Sequence, residues 1–182
     1  MPLLPSIASP MHGAMVPIAY ATPSNATVTF TNIPQGYQDL FIVMYARSSG
    51  NSSSGTVEGR FNGDTSSNYS FTYLNGNGSG AASGRGSSAT IFAAGRATGT
   101  SVSSSIFSTS TLYILNYANT TTYKTCLERG ADDENGSGVT EMWVSLWRST
   151  SAITSISLAT PGQTNFASGT TIALYGVRTV NQ

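Results

Sequence analysis

Few side chains in this 182-residue chain could do chemistry, and their surroundings narrow them further. His12 is the one histidine, and it lies among Pro2, Pro5, Pro10, Pro17 and Pro23. A Ser-His-Asp device needs an imidazole held rigidly by packed neighbours, which a proline-rich segment does not supply. Cys126 is alone, so neither an intrachain disulfide nor a cysteine-based zinc site can be built. The expectation for it is a small buried hydrophobe in a strand. Asp132-Asp133-Glu134-Asn135-Gly136 has the composition of a calcium loop. Aligning Gly136 with the required glycine, however, puts Ala131 and Met142 where the first and last carboxylates must stand. A solvated hairpin loop is expected there instead. Glu58 and Asp64 flank Arg60-Phe61 and could be written as a glycosidase pair. Arg60 offers each a partner that would keep it ionised, and Asn62-Gly63 reads as a hairpin turn with Asp64 bonding nearby amides. No catalytic residue, metal or cofactor is expected, and the chain is not expected to be an enzyme.

The aromatic residues leave a choice. Trp143 and Trp147 have the same parity on one strand and project to one face, with Met142, Val144 and Leu146 on the other. Either the two rings form a platform on which a sugar stacks, or one tryptophan lies in the core and the other at an interface.

Ser, Thr, Gly and Asn make up close to half of the residues, while charged residues are only 9% and the formal net charge is zero. The surface must therefore be covered by hydroxyls and amides. Scattered cations do not give the clustered positive charge that displaces counterions from phosphates, so nucleic acid is not an expected partner. Zero net charge also gives little mutual repulsion, which suits a part of an assembly. No stretch approaches about 18 apolar residues and none has the pattern of a secretion signal, so neither a membrane span nor export is expected. The chain is expected to be made and folded in cytoplasm.

Five prolines in the first 23 residues exclude a helix or a central strand there. The same stretch contains Leu3, Leu4, Ile7, Met11, Met15, Val16, Ile18 and Tyr20, too apolar for a solvated linker. Residues 1–25 are thus expected to be an extended arm laid on another surface, with an edge segment packed back on its own domain as the alternative. From Thr27 onward the period is two: Val28 and Phe30, then Tyr69, Phe71 and Tyr73, then Ile172, Leu174 and Gly176 alternate with polar or opposite-facing neighbours. Leu40 to Tyr45 and Leu112 to Leu115 are continuously apolar and read as central strands. Ser48–Gly55, Asn75–Gly80, Ser83–Ser88 and Asp132–Gly138 read as loops. Eight to ten strands with no helical spacing predict an all-β domain over 26–182, an antiparallel β-sandwich of jelly-roll type.

Three segments carry a resemblance: Ile33-Pro34-Gln35-Gly36-Tyr37 with Asp39-Leu40, Arg60-Phe61-Asn62-Gly63-Asp64 with Asn68-Tyr69-Ser70, and the closing pair of strands from Trp147 to Val177. Together they resemble a family of small virion structural proteins of tailed bacteriophages. The resemblance implies a β-sandwich protein of the phage particle. With the apolar arm, it points to a capsid decoration or cement protein on the virion surface, a homotrimer assembled in the host cytoplasm and bound to the major capsid protein across capsomer junctions. Leu3, Leu4, Ile7, Val16, Ile18 and Tyr20 would be the anchors. The alternative is a tail or fibre-associated protein that binds host-surface carbohydrate through Trp143 and Trp147.

Overall fold

The computed structural model, which describes residues 15–160, 162 and 164–178, has twelve strands rather than the eight to ten expected, because one lies within the expected arm and another spans an expected loop. They are β1 (Met15–Ala21), β2 (Thr27–Phe30), β3 (Asp39–Ala46), β4 (Ser54–Phe61), β5 (Tyr69–Gly76), β6 (Ala81–Ala89), β7 (Phe92–Thr98), β8 (Ser108–Ile114), β9 (Lys124–Asp133), β10 (Gly138–Trp147), β11 (Ile156–Ala159) and β12 (Thr171–Val177). No α-helix occurs among the described residues. The strands form two antiparallel sheets, one of eight in the order β1-β12-β3-β8-β9-β10-β5-β6 and one of four in the order β2-β11-β4-β7. The chain is an all-β protein with the layering of a β-sandwich.

The core lies between the sheets. Leu40, Ile42, Met44, Leu112, Ile114, Ile172 and Leu174 face inward from β3, β8 and β12, and Val57, Phe61, Phe92, Ile156 and Leu158 meet them from the small sheet. An aromatic group fastens the two layers. Phe61 stacks on Phe92 with centroids 4.2 Å apart and lies 5.6 Å from Trp147, while the Phe61 amide donates to the Tyr69 hydroxyl at 3.0 Å. Gly59 makes this stack fit, since a Cβ there would come within 2.2 Å of the Phe92 ring.

Three expectations change. Ser83–Ser88 is part of β6 rather than a loop. Its glycines are required by neighbouring rings: a Cβ on Gly84 would meet Tyr73 at 2.7 Å, and one on Gly86 would meet Phe71 at 2.5 Å. Glycine normally weakens a strand, but here each ring lies flat on the backbone that glycine exposes. Second, the two closing strands do not pair: β11 joins β2 and β4, while β12 joins β1 and β3, so the tail of the chain contributes one strand to each sheet. Third, Asn62-Gly63 is a turn with both residues at positive φ, 52° and 67°, yet β4 and β5 on either side belong to different sheets. The turn is a corner between layers, not the tip of a hairpin.

That corner explains the segments on which the family resemblance rests. Asn62 Nδ2 donates to Ala152 O at 2.8 Å, and Asn62 Oδ1 accepts from the amides of Thr154 and Ser155 at 2.8 and 3.1 Å. Asp64 accepts from the Ser66 amide, Asn68 Nδ2 and Trp147 Nε1, the last at 2.7 Å. The Tyr37 ring covers Gly176, where a Cβ would approach it to 2.3 Å. Each motif is a side chain that closes one loop on another. Partial burial pushes the Asp64 carboxyl up, but hydrogen bonds from Asn68, Trp147 and Ser66 outweigh it and hold the pKa at about 2.

Because Asp64 is the acceptor for the Trp147 indole, Asp64→Ala should cost about 1–3 kcal/mol in urea unfolding at pH 7 by orphaning that donor, and Asp64→Asn should cost less. The folded-state pKa lies below the usual 3.8, so the Asp64 contribution is complete above that value and fades as pH falls toward 2. The wild-type advantage over Asp64→Ala should shrink in that acid window.

Candidate functional site

Surface contact is the first function to locate, and the expected arm divides at Met15. Leu3, Leu4 and Ile7 lie outside the described residues. Val16, Ile18 and Tyr20 lie on β1, the edge strand of the large sheet, paired with β12 from Met15↔Val177 to Ala21↔Ile172. Residues 15–21 therefore belong to the sandwich, as in the alternative of an edge segment packed on its own domain. The placement suits Pro17, which cannot donate to a ladder: edge strands and bulges tolerate proline, and the register shifts between Pro17 and Ala19. The apolar side chains of the strand separate by what they touch. Ile18, Ala19 and Ala21 pack against the core, whereas Met15 and Tyr20 stay exposed, Tyr20 by 66%.

The two tryptophans do face one way, but they do not form one platform. Trp147 is buried in the core at 3% exposure and spends its indole N–H on Asp64. Trp143 is half-buried, stacked on Tyr73 at 4.3 Å and beside Phe71 at 5.1 Å, midway along β10 and four residues from Trp147. Its indole N–H is buried without a partner. Met142 and Val144 point to the opposite, exposed side.

A buried ionic group on the same sheet is the feature that sequence reasoning missed. Arg96 on β7 reaches over Gly130, donating from Nε to Asp132 at 2.8 Å and from Nη1 to Glu141 at 3.0 Å, with Ser54 as a further acceptor. Its own amide donates to the Ser110 hydroxyl at 2.9 Å. Burial pulls the guanidinium down, and the carboxylates outweigh that and raise its pKa. Glu128 points to the same interior at 1% exposure, and neither of its carboxyl oxygens has a hydrogen-bond partner. It occupies the space that Gly130 leaves open, since a Cβ there would come within 2.4 Å of Glu128 Oε1. One guanidinium thus faces three carboxyls, and two of them already occupy it. Burial first, then the Glu141 charge, push Glu128 up to about 8 against the pull of Arg96. At neutral pH it is mostly a protonated acid inside the sandwich.

The signal for this group was present in the parity of β9. Lys124, Cys126, Glu128, Gly130 and Asp132 alternate with Thr125, Leu127, Arg129 and Ala131. A buried Cys126 therefore places Glu128 and Asp132 on the inner face. Cys126 is buried as expected, and burial pushes its thiol up to about 12, well away from a reactive thiolate. Lys124, fully buried, donates from Nζ to Thr122 O at 2.8 Å and Thr150 O at 3.2 Å.

The remaining chemical candidates resolve into structural roles. Asp132 turns inward to Arg96, Asp133 accepts from the Gly136 amide at 2.9 Å, and Asn135 and Gly136 take positive φ, which together make the β9–β10 hairpin turn. Among the described residues no group of three or more His, Cys, Asp and Glu side chains is placed to hold a metal ion. Arg60 donates to Thr90 O at 3.2 Å, and no ion pair joins it to Glu58 or Asp64. Known proteins add nothing to this geometry: no family model, curated protein or solved structure matches the chain.

Glu128 holds a proton in the folded state that the unfolded chain releases near pH 4.5, so its contribution to stability is greatest below that pH and is lost as pH rises through about 8. Glu128→Gln keeps the shape and removes the titration. It should match wild type near pH 4 and exceed it by on the order of 2–4 kcal/mol at pH 8 in denaturant unfolding. A stability difference constant across that range would contradict a buried, unpaired Glu128.

Proposed function

We propose that the chain is a structural protein of a bacteriophage particle, a decoration or cement protein that binds the major capsid protein across capsomer junctions as a homotrimer and reinforces the shell. The observation that carries this reading is the position of β1. It is the edge strand of the large sheet, so one side of its backbone has no strand partner among the described residues, and Met15 and Tyr20 stand exposed on it. The apolar residues Leu3, Leu4 and Ile7 lie next along the chain. Further support comes from the resemblance of the Ile33–Leu40, Arg60–Ser70 and Trp147–Val177 segments, whose side chains close loops rather than build a reactive centre. Many weak contacts made by one small protein across several shell subunits add up, since linked contacts act at high effective concentration.

Carbohydrate binding at a tail or fibre is the second reading. The stacked Tyr73–Trp143 pair favours it, because half-buried rings at a sheet end are a surface on which a pyranose stacks. Trp147 takes no part in it.

Two measurements separate the readings. Purified particles should contain the chain at a stoichiometry near that of the major shell protein, whereas a few copies per particle would indicate a tail component. Tyr20→Asp, or removal of residues 1–14, should leave the unfolding midpoint within about 0.5 kcal/mol of wild type while weakening binding to shells at least about tenfold. Unchanged shell binding by both variants would refute β1 as the attachment strand. Glycan-array binding lost with Trp143→Ala would favour the second reading.

A further inference from the structure

The outer face of the large sheet is the most apolar exposed surface of the molecule. Nine large hydrophobic side chains are exposed among the described residues, and Val43, Tyr45, Leu74, Met142 and Val144 all point outward from this one face. The strand registers place Leu74, Met142, Arg129, Thr111 and Val43 in a single line across β5, β10, β9, β8 and β3. Over β5, β10 and β9 the face sinks into a recess of about 610 Å³, with Leu74 and Met142 beside Arg129. Glu141 borders the recess, but its carboxyl is turned through the sheet to Arg96. Arg129 is exposed, and among the described residues its guanidinium makes neither a hydrogen bond nor an ion pair. Four residues along the same strand, on the same outward side, stands Asp133, also exposed.

We propose that this face binds a second copy of the chain, with Arg129 of one copy paired to Asp133 of the next and the Leu74–Met142 recess closed between them. A two-fold contact between identical subunits requires one surface to carry both members of each pair, and β9 carries them about 13 Å apart on one side at the usual strand rise. Most other acids of the chain are unable to serve. Asp39, Glu128, Asp132 and Glu141 are buried, and Asp64 is committed to Trp147, Asn68 and Ser66. That leaves the β9–β10 turn as the acidic feature adjoining the recess. A sugar fits this recess less well, because Leu74, Ala81, Ala131 and Met142 wall it among threonines with no aromatic ring, and the rings of Phe71, Tyr73 and Trp143 face the other way. An anionic membrane needs several clustered cations, and the recess has one. Methionine suits a self-contact, since its unbranched chain adapts to an irregular opposing surface. The contact does not depend on where, or in which particle, the protein acts.

Sedimentation velocity of the full chain over a concentration series tests this directly. Wild type should form a dimer through this face, and Arg129→Glu should weaken association at least about tenfold by setting like charges opposite each other. Met142→Glu should do the same from the neighbouring strand through the recess itself. Both positions are exposed, so thermal unfolding of the dilute monomers should match wild type. The double exchange Arg129→Asp with Asp133→Arg should restore association. A wild-type chain that is monomeric at about 1 mM, association unaffected by both single variants, or an exchange that stays monomeric would each overturn the proposal.

Discussion

An eight-stranded sheet lies against a sheet half its width, and the distribution of side chains follows from that mismatch. The edge strand β7 of the small sheet runs over β8, β9 and β10, so the apolar core concentrates under it and toward β3 and β12. Where the cover gives out, the inner face of the large sheet is finished by its own rings, Phe71, Tyr73 and Trp143, laid over Gly84 and Gly86 of β6. No further layer of strands covers the outer face among the described residues. A protein that leaves so wide an apolar sheet face open has surface to offer to neighbours.

Around Arg96 on β7, beyond the apolar contacts of Phe92, the layers meet through ions rather than through oil. Arg96, Asp132 and Glu141 bridge the two sheets, and Glu128 joins them as a neutral acid. Such a group is expensive to desolvate and gives little net stability compared with an apolar core, but it permits few alternative arrangements. Gly130 is the hub, because any side chain there would collide with Glu128. Elsewhere the loops are held by single polar residues reaching backbone groups. Arg47, also buried, donates to Val102 O, Ser103 O and Ile106 O at 2.8–2.9 Å, so it organises the β7–β8 connection from β3. A chain with few charges places several of them where no solvent reaches.

Alternation and continuous apolar runs make the strands legible in the sequence: β5 and β12 stand where the alternating Tyr69–Tyr73 and Ile172–Gly176 predict them, and β3 and β8 where the apolar runs Leu40–Tyr45 and Leu112–Leu115 do. β6 was hidden, because glycine and serine in an edge strand look like a loop unless the rings of Phe71 and Tyr73 are known to lie over them. Strand order was hidden as well. Nothing local to Asn62-Gly63 distinguishes a hairpin tip from a corner between layers, and the difference lies in which distant strand each arm meets. The parity of Trp143 and Trp147 was correct, but parity alone does not say where along a strand the opposing layer ends. The interior acids escaped notice because charge was read as surface, although their spacing from Cys126 already placed them inside.

The first and last strands of the described chain are neighbours, with Met15 opposite Val177. During synthesis β1 emerges long before β12 exists, so β1 must wait for the ten intervening strands before its ladder with β12 can form. The edge that β1 later presents is consequently assembled last, and a nascent or truncated molecule lacking β12 has β3, not β1, as the rim of its large sheet. Only a chain that includes β12 displays the β1 edge, so any assembly that recognises it would pass over chains cut short before β12.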